Sequence, residues 1–244
     1  MQNEKKRQVF RKILLLISFI LFPITIFYLS PVLPLMGVTK GIINASLIIF
    51  GILFILSLFL GRLFCGWICP GGAVGDICSL IYEKNKKPVY WVKWVIWIIW
   101  ICLYLYLLVL NNFNIGKIDF FFDIPSGISI LNPQAIIIYY FFVTLIIILS
   151  FTVAKRGFCH YICWMAPFMI IGSKIRFLLK IPSLKLKVDK NKCISCGICN
   201  KVCPMSLDVQ SMVLKENMNN VECILCGSCI DNCPKKVISY TFKS

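Results

Sequence analysis

Four stretches of this chain run almost free of charge for about the length a helix needs to cross a bilayer core. They cover residues 13–29, 41–61, 89–110 and 134–154; the third carries one charge, Lys93, near its start. Each predicts a membrane helix, and Pro23 predicts a kink in the first. The first is long for a signal-peptide core, and no small-residue cleavage pattern follows it, so it reads as a retained helix. Residues 164–181 are also apolar, but Lys174, Arg176 and Lys180 interrupt them. That pattern predicts an interfacial helix, basic toward anionic lipid, rather than a fifth span. After Ile181-Pro182-Ser183 the chain turns charge-rich from Lys185. The expectation is two domains, a membrane domain over 1–181 and a small soluble domain over 185–244.

Charge sets the orientation. With the N-terminus placed in the cytoplasm, the loops between spans one and two and between spans three and four face outward. Of the 26 Lys and Arg, those loops hold only Lys40 and Lys117. The rest lie on the cytoplasmic side, as the positive-inside rule expects. The expected localisation is a multi-pass cell-membrane protein with both termini cytoplasmic. The outer loop 111–133 contains Asp119-Phe120-Phe121-Phe122-Asp123-Ile124-Pro125. It reads as an interfacial aromatic loop, with a docking site for a quinone or an outer partner as the other option. The aromatic run Tyr90, Trp91, Trp94, Trp97 and Trp100 reads as lipid-facing or packing surface.

Composition agrees with a membrane assignment: 59% of the 244 residues are hydrophobic and the mean hydropathy is +0.84. The formal charge of +16 flanks apolar spans, so no nucleic-acid partner is expected. The 14 Cys do not describe a secreted disulfide scaffold, because eight of them form a different pattern.

That pattern lies between Cys193 and Pro234. Cys193, Cys196, Cys199 and Cys203 precede Pro204; Cys223, Cys226, Cys229 and Cys233 precede Pro234. Each run is C-x2-C-x2-C-x3-C-P, in which soft thiolates suit iron–sulfur clusters and the fourth Cys ligates the other cluster. One 4Fe–4S cluster is therefore assigned Cys193, Cys196, Cys199 and Cys233. The other is assigned Cys223, Cys226, Cys229 and Cys203. Gly197 and Gly227 fall at matching places where the loop passes close to its cluster. Zinc, which takes four ligands, commonly as two separated Cys pairs, fits two four-Cys runs poorly. Two oxidised clusters at about −2 each lower the net charge to about +12. Oxygen-sensitive clusters also suit the reducing side of the membrane.

A second set of cysteines sits in an internal repeat. Gly61-Arg62-Leu63-Phe64-Cys65-Gly66-Trp67-Ile68-Cys69 follows span two, and Lys155-Arg156-Gly157-Phe158-Cys159-His160-Tyr161-Ile162-Cys163 follows span four. Each copy has two spans, a basic residue, a Phe and C-x-x-x-C, which predicts a parallel two-helix repeat with both pairs at the cytoplasmic interface. Pro70, continued by Gly71-Gly72, breaks helical geometry at Cys69. Cys65, Cys69, Cys159 and Cys163 can hold a third iron–sulfur centre, act as redox dithiols, bind another metal, or be buried structural thiols. His160, the single histidine, reads as structural, with a ligand or proton-transfer role open. Cys78 and Cys102 have no partners in the repeat and read as packing thiols.

Residues 185–244 resemble a bacterial 2x(4Fe–4S) ferredoxin. Over about residues 10–244 the chain resembles the NapH-like membrane ferredoxin family, most specifically at Cys65-Gly66-Trp67-Ile68-Cys69-Pro70. The resemblance implies four spans, two C-x-x-x-C-P motifs and a cytoplasmic dicluster ferredoxin. It also implies electron carriage between cytoplasmic or membrane donors and other redox proteins, often with quinol oxidation. The second motif departs from the pattern: Trp164 follows Cys163, and the proline comes later, at Pro167. The expected fold is thus membrane α-helical, with four helices as a two-helix repeat, plus a small α+β dicluster ferredoxin domain. No catalytic nucleophile, phosphate loop or acid–base pair is visible. The function expected is an electron-transfer component of an oxidoreductase. Its partners would be membrane lipid, a cytoplasmic redox protein, and a quinone or partner membrane subunit. A redox-sensing regulator or metalloenzyme assembly factor is the alternative. A transporter is disfavoured because the spans hold no carboxylate.

Overall fold

The computed structural model describes residues 6–81, 89–131, 133–153 and 155–243. Lys5 and Glu4 of the basic N-terminal run, and Ala154 at the expected end of the fourth span, lie outside the described residues.

Helix α1 (Lys6–Ile20) is followed by two short pieces, α2 (Phe22–Thr25) and α3 (Val32–Thr39). Strand β1 (Ile42–Asn44) leads into α4 (Ala45–Leu60), where the Asn44 side chain caps the helix by accepting from the Leu47 amide at 3.2 Å. The short α5 (Leu63–Trp67) and α6 (Pro70–Ile81) close the first copy of the repeat. The second copy begins with α7 (Trp91–Leu110). Strand β2 (Lys117–Asp119) then leads to α8 (Pro133–Thr152), α9 (Gly157–Tyr161) and α10 (Ala166–Leu178). Strands β1 and β2 pair in parallel, Ile42 opposite Lys117.

The two copies exchange helices. The α10 helix of the second packs along α4 of the first, and α6 of the first packs along α8 of the second. The α1 helix lies on α5 and α6, as α7 lies on α9 and α10. Gly172 makes the α4–α10 approach possible: a Cβ there would collide with Ser57 Oγ. The helix expected to lie at the interface over 164–181 therefore starts at Ala166 and is a packing helix, with Met169, Ile170 and Ser173 buried.

Of the four expected spans, α7 and α8 are single helices long and apolar enough to cross a membrane. The second, α4, is apolar but has 16 residues. The first differs most. Helix α1 already runs at Lys6, ahead of the apolar stretch, and its Arg7, Gln8 and Arg11 bond to the rest of the protein. It ends at Ile20, ahead of Pro23, which starts a new turn instead of kinking a long helix.

The C-terminal module holds an antiparallel pair, β3 (Ser183–Val188) with β4 (Ile238–Lys243), Val188 opposite Ile238. Between them lie α11 (Ile198–Lys201), α12 (Val209–Leu214) and α13 (Ser228–Asp231). The module is docked, not tethered. One continuous apolar core runs from Phe50 and Met169 in the helices to Met205, Ile224 and Ile238 in the module.

Candidate metal centres

The eight cysteines of the C-terminal runs fall around two separate cavities. One is lined by Cys193, Cys196, Cys199 and Cys233, the other by Cys203, Cys223, Cys226 and Cys229. The last Cys of each run thus crosses to the other cavity. The backbone repeats the same bends in both runs. Gly197 and Gly227 take left-handed φ of 71° and 76°, and Ser195 and Leu225 take 54° and 50°. Left-handed turns without a side chain at the glycines let helices α11 and α13 start immediately after the second thiol. The walls are apolar: Ile198, Val213 and Val237 in the first cavity, and Met205, Leu207 and Ile224 in the second. Four thiols around an apolar cradle fit a 4Fe–4S cluster.

The C-x-x-x-C pairs share one geometry despite the displaced proline. The Cys65 amide donates to Arg62 O at 3.1 Å and that of Cys159 to Arg156 O at 2.9 Å. The amides of Cys69 and Cys163 each donate to the Phe five residues before, Phe64 O and Phe158 O, at 3.0 Å. Pro70 opens α6 at its first position, where a proline costs no hydrogen bond, and Pro167 does the same near the start of α10. Cys69 is non-helical, but the expected continuation of the break through Gly71-Gly72 is replaced by the first turn of α6. Gly72 is small because Cys65 O would lie 2.9 Å from its Cβ.

The sequence leaves the first pair at a helix end or a turn; in the structure both pairs sit on short turns between the longer helices. Past each pair the chain dips back and rises again beside the other copy's long helix. Phe168 stacks on Phe50 of the other copy's α4 with centroids 5.5 Å apart, Trp164 meets Phe142 of its own copy's α8 at 5.2 Å, and Gly71 of the first copy lies against Ile146 of the other copy's α8. Phe50 and Phe142 lie roughly 15 Å back along α4 and α8 from their ends, at about 1.5 Å per residue. Gly61 then faces the Arg176 guanidinium at the top of α10. Both pairs therefore stand on turns that fold back between the helices, with protein packed around them. Cys65, Cys159 and Cys163 are buried, and each thiol lies in the electrostatic field of others of the four. Burial first, then the neighbouring thiols, pushes the Cys163 thiol up to about 12 and Cys69 up as well.

Among the described residues, no three His, Cys, Asp or Glu side chains close on a single metal-ion position. A 4Fe–4S cluster does not require that, because its four thiolates bind different irons. An apolar cavity adjoins the deeper thiols. Cys69, Cys163, Gly71 and Phe158 form one side, and Phe27 and Phe142 the other.

The junction between these sites is specific. Gly66 meets the carbonyl of Ile224 with no space for a Cβ. Trp67 Nε1 donates to Leu225 O at 3.1 Å, and Gln8 Nε2 to Cys226 O at 2.9 Å. Arg11 Nη1 holds Gly66 O at 3.1 Å and Arg156 Nη1 holds Cys65 O at 2.7 Å. Glu222 accepts from Arg62 and, at 2.6 Å, from Lys93. Asp76 accepts from Arg11 at 2.8 Å and Arg156 at 2.6 Å. Burial pushes the Glu222 carboxyl up, but Arg62 and Lys93 outweigh it and hold it below the usual range. His160 is fully buried beside the Tyr90 ring, and burial holds its imidazole down at about 3, so it is neutral.

The aromatic run is divided. Trp97 and Trp100 pack edge-on against Phe168, whereas Trp91 is exposed. Cys78 is buried in α6 and Cys102 is exposed on α7, both apart from the four-thiol group. The residues missed by sequence reasoning are Arg62, Arg156, Asp76, Glu222 and Lys93. Only the arginines left a signal there, as the basic residue repeated before each Phe-Cys.

Comparison with known proteins adds two matches. A family described as a 4Fe–4S binding domain matches residues 45–88 and 135–182, and one described as a 4Fe–4S dicluster domain matches residues 185–234. The chain carries 4Fe–4S domains of ferredoxin type. The split match covers the long second helix and the C-x-x-x-C turn of each copy of the repeat. An uncharacterized protein of Methanocaldococcus jannaschii is 28% identical over 217 residues, 85% of this chain and 78% of its own. The methylamine utilization ferredoxin-type protein MauN of Methylorubrum extorquens is 26% identical, over 71% of this chain and 59% of its own. The putative electron transport protein YccM of Escherichia coli is 22% identical, over 72% of this chain and 51% of its own. The chain thus spans little more than half of these two relatives. No solved structure matches the chain.

Proposed function

We propose that this chain is a membrane-bound, NapH-like electron-transfer protein. It links a cytoplasmic redox protein to a quinone or partner subunit in the membrane. The four spans are residues 13–29, carried by the end of α1, by α2 and by the turn after it, together with α4, α7 and α8, and both termini face the cytoplasm. Cys193, Cys196, Cys199 and Cys233 hold one 4Fe–4S cluster; Cys203, Cys223, Cys226 and Cys229 hold the second. Cys65, Cys69, Cys159 and Cys163 hold a third iron–sulfur centre. Bound, these groups supply one-electron transfer between the two sides of the junction.

One observation carries this reading: the Ile224–Cys226 loop is seated on Cys65–Trp67, backbone against backbone. A structural thiol pair would need no such docking. The protein's own part is to exclude water with Met169, Phe158 and Met165, and to fix the loop with Trp67 and Gln8. The apolar cavity at Cys69 and Cys163 is where a quinone ring would approach. The MauN and YccM names, a ferredoxin-type protein and an electron transport protein, agree with this assignment.

The test is iron and acid-labile sulfide on anaerobically purified protein, beside the double variant Cys65→Ser/Cys159→Ser. The expected result is about twelve iron per chain, falling to about eight in the variant, at four per cluster. About eight in both would remove the third centre. Reduction of the clusters by a quinol would support the conduit; redox-dependent partner binding without turnover would replace it with a sensor.

A further inference from the structure

The internal repeat duplicates more than cysteines. Arg62 and Arg156 stand three residues before Cys65 and Cys159. Both are closed off from solvent, at 0% and 1% exposure. Each is held by one carboxylate, Arg62 by Glu222 and Arg156 by Asp76. Yet Arg62 Nε and Nη2 and Arg156 Nη2 meet no acceptor. A buried cationic N–H left unpaired is costly, and in folded proteins such groups find a partner.

The surroundings say what kind of partner. Arg62 lies in the electrostatic field of Cys65, Cys159 and Cys163, and Arg156 in that of Cys159 and Cys226. Arg176, which also has an unpartnered Nε, faces Cys223 instead. The charges of the two networks do not cancel. Arg62 and Lys93 share one carboxylate, Glu222; Arg11 and Arg156 share one, Asp76. Two positive charges are left over beside four thiols. Arg156 also lies in the field of Cys226, but Arg62 is in the field of the repeat thiols alone, and four neutral thiols would leave it facing no anion beyond the shared Glu222, which is expensive. A 4Fe–4S core with four thiolates carries about −2 when oxidised, which balances the surplus.

We propose that Arg62 and Arg156 form a paired guanidinium cradle for the anionic centre held by Cys65, Cys69, Cys159 and Cys163, and set its reduction potential. This rests on the third-centre reading. Arginine suits the role because it stays charged at every working pH and presents several donors in a fixed fork. On one-electron reduction the added negative charge is met by guanidinium N–H groups already in place. No proton is taken up, and the cationic donors favour the reduced form, so they raise the potential. The cradle makes the centre a better acceptor of electrons from the ferredoxin side.

The experiment is an anaerobic redox titration followed by electron paramagnetic resonance. It uses the full chain and the variants Arg62→Gln, Arg156→Gln, Arg62→Lys and Asp76→Asn. The signal of interest is the one absent from Cys65→Ser/Cys159→Ser. Each Gln variant is expected to lower its potential, so that its reduced-to-oxidised ratio at a fixed ambient potential falls about tenfold, the effect of one lost charged hydrogen bond. Arg62→Lys keeps the charge but not the fork, and should shift less in the same direction. It also serves if the Gln variant fails to fold. Asp76→Asn removes a negative charge and should shift the potential upward. Unchanged potentials in variants that retain about twelve iron would make the arginines structural ties only. About eight iron in the parent protein would instead remove the third centre itself, and with it the cradle.

Discussion

Gly66 and Ile224 touch so closely that no Cβ fits between the Gly66 backbone and the Ile224 carbonyl. Gly66 lies between the first two cysteines of the repeat; Ile224 lies between two cysteines of the second ferredoxin run. Their contact brings two cysteine-bearing loops together with no side chain between them. Any side chain at position 66 would wedge the two apart.

Gly66→Ala is therefore expected to destabilise the junction by about 1–3 kcal/mol, the usual cost of overpacking. Gly51, by contrast, faces open space on α4, and Gly51→Ala should be neutral or slightly stabilising, as for a helical glycine. Thermal melts of the two variants in detergent check this. At about 2–4 °C per kcal/mol for a chain of this size, Gly66→Ala should melt several degrees lower. Equal melting temperatures would mean that the junction is loose.

Glu222 is the carboxylate that ties the ferredoxin run to Arg62 and Lys93, both fully buried. Glu222→Gln keeps the shape and removes the charge, leaving two buried cations unpaired. Breaking a buried pair from one side typically costs about 3–5 kcal/mol. Limited proteolysis of the variant should release the C-terminal module as a fragment under conditions where the parent stays whole. Asp189→Asn, at an exposed pair with Lys192, serves as the control and should change little.

Much of this arrangement was legible in the sequence because spacing encodes it. The eight cysteines of the C-terminal runs divide into two sets by pattern alone, since three thiols in one loop leave a fourth ligand to come from elsewhere. Helix α8 lies between Pro133 and Lys155, and α7 stops where Asn111-Asn112 begins. What the spacing could not carry is three-dimensional exchange between the copies. Nothing local to residues 164–181 says that α10 will pack on α4, because Gly172 acquires its meaning only from Ser57. Lys93 looked like a stray charge at the start of a span. Its partner, Glu222, lies in another domain, where neither residue's neighbours reveal it. The folded-back turns were hidden for a similar reason. A pair of cysteines between two helices reads as a loop until packing such as Phe168 on Phe50 shows the chain turning back beside α4.

The isolated cysteines should behave differently from the grouped ones. Cys102 is exposed on α7, and Cys78 packs against α8. Cys102→Ser and Cys78→Ala are expected to retain the full iron content, with at most a modest loss of stability for the buried Cys78. Cys69→Ser and Cys163→Ser, from opposite copies of the repeat, should each lower iron to about eight per chain, because both would remove the same centre. Iron analysis of the four proteins is sufficient. If only one of the two repeat cysteines mattered, a centre shared between the copies would be untenable.

The crossed grouping of the C-terminal thiols makes a sharper prediction. Cys203 lines the cavity of Cys223, Cys226 and Cys229, although it follows Cys199 in the chain. Cys233 lines that of Cys193, Cys196 and Cys199, although it follows Cys229. Cys203→Ser should therefore perturb the same cluster as Cys223→Ser, and Cys233→Ser the same cluster as Cys193→Ser. Resonance spectra of the reduced single variants should sort into those two pairs. The two clusters are distinguishable because their surroundings differ. The cavity of Cys223 is walled by Met205, Leu207 and Ile224 on the side of the helical half, while that of Cys193 lies beside exposed Cys196 and Ile194. The better-shielded cluster, facing Cys65, should keep its signal longer when the protein meets oxygen. Sorting by run, with Cys203→Ser resembling Cys193→Ser, would overturn the crossed ligation and with it the locking of the two runs.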